Sequence, residues 1–106
     1  MGKIKTIDIN AKEWFDKVNG NSYFAGVIII NFGMKDCREY VIPYEYGYGD
    51  YYIDAAKELL QKQGEIDYQK NENGSSIALW QYCQDNKIIL RYHKQENCLK
   101  RELMNF

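Results

Sequence analysis

The sequence predicts an α+β domain whose sheet is antiparallel, has about five to six strands and carries two helices in the order βαββαβββ. Three observations carry this expectation. The run YFAGVIIINF at 23–32 is β-branched and almost continuously apolar. The stretch 51–63 places apolar residues at helical spacing between Asp50 and Gly64. The remaining strand signals fall in consecutive hairpins and do not alternate with helices. With 106 residues the chain is expected to form one domain spanning 1–106.

In chain order, Ile4, Ile7 and Ile9 mark a short first strand. Asn10 is a favoured N-cap, and Glu13 three residues later completes a capping-box pattern. A helix over 11–19 would bury Trp14, Phe15 and Val18 and stop at Gly20. The run 23–32 reads as a central strand, turned by Gly33-Met34-Lys35-Asp36 into a strand at 37–44. Tyr40 and Ile42 would share one face of that strand and Val41 the other. Pro43 removes a ladder donor, so the strand should lie at an edge or end there. Asp50 then caps a helix, and Tyr52, Ile53, Ala56, Leu59 and Leu60 form its buried stripe. Beyond Gly64 the chain reads as a meander. A short strand is expected at 66–68, a turn at Asn73-Gly74, and strands at 75–84, 87–94 and 98–104.

Composition narrows the function. A net charge of −1, with 45% hydrophobic and 27% charged residues, excludes a disordered charged tail and any global attraction to phosphate or anionic lipid. No apolar run approaches a membrane span, and the N-terminal residues lack a signal-peptide stretch. The three cysteines are an odd number without CxxC spacing, as expected of thiols in a reducing cytoplasm.

Nucleophilic catalysis would need a cysteine paired with His93. If Asp85-Asn86 forms a hairpin turn, Cys83 and His93 lie about 16 Å apart at strand spacing. That separation argues against a Cys83–His93 pair and against a zinc site using Cys83, His93 and Cys98, while Cys98, nearer His93, follows a turn and has no evident carboxylate partner. Gly47-Tyr48-Gly49 before a helix lacks the third glycine and the lysine of a phosphate loop, and Asp50 would repel the anion. No catalytic residue, metal or cofactor is expected.

Two surfaces stand out. The segment Tyr44-Glu45-Tyr46-Gly47-Tyr48-Gly49-Asp50-Tyr51-Tyr52 would project Tyr44, Tyr46 and Tyr48 to one side if extended. Such rings provide contact area at low entropic cost. Residues 35–69 hold eight acidic and four basic groups, which favours a basic partner. The second surface is the expected hairpin 75–94. There Trp80 would face Arg91, on a side shared with Tyr82 and His93.

The stretch Ile9-Asn10-Ala11-Lys12-Glu13-Trp14-Phe15-Asp16-Lys17-Val18-Asn19-Gly20-Asn21-Ser22-Tyr23-Phe24, followed by an apolar strand and Tyr46-Gly47-Tyr48-Gly49, resembles small uncharacterised proteins encoded by bacteriophages and prophages. The likeness covers about the first two-thirds of the chain. It implies no activity and no site residue, only a setting inside a bacterial host cell. Proteins of that setting and size often bind host machinery, anti-CRISPR proteins among them.

The functional expectation is therefore a non-catalytic phage-type binding protein that blocks or modulates a host protein or ribonucleoprotein with a basic surface, such as an immunity effector. Its partner-binding residues would be Tyr44, Glu45, Tyr46, Tyr48, Asp50 and Tyr51. The alternative is a small single-stranded nucleic-acid-binding accessory protein using Trp80, Tyr82, Arg91, His93 and Arg101.

Overall fold

The computed structural model describes residues 3–47, 49–67, 74 and 77–103. Its elements are β1 (Thr6–Asp16), β2 (Asn21–Ile30), β3 (Arg38–Tyr46), α1 (Tyr51–Lys62), α2 (Leu79–Asp85), β4 (Ile89–Gln95) and α3 (Lys100–Leu103). The fold is α+β, but the sheet is mixed and, among the described residues, has four strands, in the order β3-β2-β1-β4. β1 pairs antiparallel with β2 and parallel with β4, and β2 pairs antiparallel with β3.

The expected helix at 11–19 is absent, and β1 runs straight through to Asp16. Its ladder continues to Asp16 opposite Asn21, so backbone groups that a helix would have satisfied internally are satisfied across the sheet. Asn10 and Glu13, the expected capping pair, lie on opposite faces of a strand. Gly20 does adopt a left-handed conformation (φ +70°), but it closes a hairpin, with its N–H donating to the Asp16 carbonyl at 2.7 Å. The Asp16 carboxylate accepts from the Val18 and Asn19 N–H groups in the same turn. Val18, expected in the core, is 91% exposed.

β2 is the central strand that the apolar run predicts. The turn at 33–36 and the helix after Asp50 also stand where expected, although Asp50 makes no side-chain capping bond. β3 is an edge strand, as Pro43 implies, yet it continues past the proline to Tyr46. A register irregularity between Phe24 and Gly26 absorbs Pro43 and Tyr44.

The second half departs most. Within the expected strand at 75–84, the residues from Leu79 onward form α2, where Leu79, Tyr82 and Cys83 fall at i, i+3 and i+4, the spacing of one helix face. Asp85-Asn86 is then no hairpin turn. It ends a helix, with Asn86 Nδ2 donating to the Tyr82 carbonyl at 2.8 Å. Without a hairpin partner, β4 docks on the free edge of β1, parallel to it. The expected last strand is α3, where the Leu99 N–H donates to the Glu102 carboxylate at 2.9 Å. Ile66 belongs to no strand. Tyr68, Asn73, Ser75 and Met104, which the expected strands and turn include, lie outside the described residues.

The main core lies on one face of the sheet, where Ile7, Ile9, Ile28, Ile30 and Ile42 meet Tyr52, Ala56 and Leu60 of α1 and Leu79 and Cys83 of α2. Each such buried aliphatic side chain contributes roughly 1.5–3 kcal/mol. A smaller cluster on the opposite face packs Cys98 and Leu103 on Ala25, bordered by Trp14, Tyr23 and Tyr44.

Candidate interaction groove beside β4

The N-terminal turn of α1 is tied to the sheet by one amine. Lys94 Nζ, on β4, donates to the Glu13 carboxylate at 2.9 Å and to the Gly49 carbonyl at 2.8 Å, and lies 5.8 Å from the Tyr52 ring centre. This places Asp50, Ile53 and Asp54, spaced i, i+3, i+4, along one side of α1. Lys57 Nζ donates to the Ile77 carbonyl at 3.4 Å, joining α1 to the segment before α2. Ala78, Leu79 and Trp80 at the start of α2, with Leu90 and Tyr92 of β4, complete a groove of about 210 Å³ with Asp50, Ile53 and Asp54.

The groove has an apolar floor and a polar rim. Leu79 is buried, whereas Trp80 is 58% and Tyr92 54% exposed. Asp50 and Asp54 are exposed, and neither forms an ion pair with a described residue. Two aromatic faces beside two carboxylates suit a cationic side chain. A cation–π contact contributes about 0.5–2 kcal/mol, depending on desolvation, and charge-assisted hydrogen bonds add to it.

The phenol-bearing segment is arranged differently from the expected free loop. Tyr44 and Tyr46 belong to β3 and lie on the side of Tyr23, as their period of two requires. Tyr44 is half-buried and stacks on Tyr23 at 5.1 Å, and that burial raises its phenol pKa. Tyr46 is exposed and meets Tyr23 edge-on at 5.7 Å. Glu45 is half-buried opposite Phe24, and Tyr51 is exposed with its edge on Phe24 at 5.8 Å. Tyr48 lies outside the described residues. Of the described residues of this set, Asp50 alone borders the groove.

The second expected surface comes apart. Trp80 and Tyr82 ride on α2, whereas Arg91 and His93 point to the opposite face of the sheet, alternating with Leu90 and Tyr92. No Trp80–Arg91 pair forms. The Arg91 guanidinium instead bonds Asp8 at 2.7 and 2.9 Å. Tyr82 accepts from the Asp67 N–H, and Arg101 is exposed on α3.

Cys83 is buried, which pushes its thiol pKa up to about 11, while His93 is exposed on the far face. Among the described residues no group of three His, Cys, Asp or Glu side chains could hold a metal ion. Also among them, no helix is long and apolar enough to cross a membrane.

Tyr92 and Asp54 are not among the residues that the sequence singles out. The i, i+3, i+4 spacing of Asp50, Ile53 and Asp54 was visible. That Trp80 would face it was not, because that depends on 79–85 being helical. Comparison with protein-family models, curated proteins and solved structures returned no match for this chain.

Proposed function

We propose that this chain is a non-catalytic binding protein of bacteriophage type, working in the cytoplasm of a bacterial host. It blocks or modulates a host protein or ribonucleoprotein with a basic surface, and the partner class we favour is an immunity effector, by analogy with anti-CRISPR proteins. One observation carries the binding part of this reading. Trp80 and Tyr92 stand more than half exposed beside Asp50 and Asp54, in a groove whose apolar floor belongs to the main core. Exposed aromatic anchors next to carboxylates that have no ion-pair partner among the described residues suit a basic partner. The phage setting rests only on the resemblance carried by residues 9–24, the apolar strand after them and Tyr46-Gly47-Tyr48-Gly49.

The test is capture from bacterial lysate at low and high salt, comparing wild type with a Trp80→Ala/Asp54→Asn variant. Wild type should retain a basic host protein more strongly at low salt, and the variant should lose it while melting at nearly the same temperature. Equal retention by both proteins, or no partner at either salt, rejects the reading.

A further inference from the structure

We infer that the outer edge of β4 takes up an extended segment of a partner protein as an added strand, and that an arginine or lysine of this segment enters the groove between Trp80, Tyr92, Asp50 and Asp54. The inference rests on the cation-binding reading of the groove and adds the main-chain contact that seats the cation.

The backbone supplies the first argument. Ile89 N–H donates to the Lys5 carbonyl at 3.0 Å, which sets the phase of the parallel ladder between β1 and β4. By alternation, the main-chain groups of Ile89, Arg91, His93 and Gln95 face β1, and those of Leu90, Tyr92 and Lys94 face outward. β4 is the last strand of the sheet, so among the described residues no strand lies beyond those outward groups. The side chains of Leu90 and Tyr92 line the groove. An added strand would therefore carry every second side chain directly alongside it.

The second argument is the contrast between the two edges. Exposed edges are usually guarded by proline, bulges or outward-reaching lysines. β3 has Pro43 and a register irregularity. β4, seven residues long, has no glycine or proline, and its cations are withdrawn. Lys94 is folded onto Glu13 and Gly49, and Arg91 is held by Asp8 on the far face. The open edge thus borders carboxylates, and the charge complement commits the occupant to a basic segment.

A second copy of this chain would also have to bring a cation to the groove. Its own β4 cations are engaged in the contacts just named, which disfavours self-pairing.

The experiment titrates the intact protein with a short synthetic peptide of alternating threonine and valine carrying one central arginine. Two further arms use the same peptide with alternate backbone amides methylated and with the arginine replaced by glutamine. Amide hydrogen exchange at Leu90, Tyr92 and Lys94 reports strand addition, and the Trp80 indole NMR signal reports the groove. The parent peptide should slow exchange at all three amides and shift the indole signal. Methylation should abolish both effects, and the glutamine peptide should bind roughly tenfold more weakly.

Equal binding by the methylated peptide overturns strand addition and leaves the groove reading intact. Failure of both the parent peptide and arginine methyl ester to move the Trp80 signal overturns the groove reading and this inference together. Protection of the three amides that grows with protein concentration alone assigns the edge to a second copy and overturns the partner segment.

Discussion

The guanidinium of Arg38 grips the carboxylate of Glu65 through two donors, Nε at 2.6 Å and Nη2 at 2.8 Å, and so fastens the outermost strand to the turn that ends α1. The Tyr40 hydroxyl donates to the same carboxylate at 2.6 Å, and the Glu65 side chain is only 1% exposed. Replacing Arg38 with Met should cost about 3 kcal/mol in urea unfolding at neutral pH, because it leaves a buried carboxylate with one neutral donor.

The same pair sets an acid limit. The Arg38 hydrogen bond, opposed by burial and helped by Tyr40, lowers the Glu65 pKa. A carboxylate depressed in the folded state contributes stability that is fully present above its unfolded pKa and lost as pH falls through the folded one. Stability of the wild type should therefore decline from about pH 4 downward. The Arg38→Met protein should show a flatter acid limb in the same measurement.

Gly26 faces Ala11 where β1 and β2 approach closely. A Cβ there would sit 2.7 Å from the Asn10 carbonyl oxygen, a backbone atom that cannot move aside without disturbing the ladder. Gly26→Ala should cost about 1–3 kcal/mol in thermal or urea unfolding. Cross-strand amide exchange near Asn10 should rise with it.

Leu79 and Trp80 are neighbours with opposite duties. Leu79 is buried in the core, so Leu79→Ala should destabilise by about 2–5 kcal/mol. Trp80→Ala should change stability by less than about 1 kcal/mol, since its ring is mostly in solvent. A large melting shift for Trp80→Ala would make the ring a structural one.

The thiols should separate by accessibility. Cys37 is exposed, whereas Cys83 and Cys98 are buried and burial raises the Cys83 pKa to about 11. At mildly alkaline pH a thiol reagent should modify Cys37 rapidly and reach the other two only in denaturant.

Some of this architecture was legible because short-range chemistry decides it. The apolar run at 23–32 has no stable place but a sheet interior, and Asp50 to Gly64 carries helical spacing between two stop signals. Pro43 marked an edge because it lacks a donor. The proposed groove was legible only in pieces, as Asp50 in one expected surface and Trp80 in another.

What the tertiary structure alone decided are the segments 11–16 and 79–85. Each is short and has few apolar residues, Ala11, Trp14 and Phe15 in one and Leu79, Trp80, Tyr82 and Cys83 in the other. At that length, local preference is worth less than the partner each segment finds. For 11–16 the partner is a complete ladder with β2. For 79–85 it is the core pocket that Leu79 and Cys83 fill beneath α1. Once those partners are chosen, β4 is left parallel on the free edge of β1, and the groove with its outer strand edge follows from that placement.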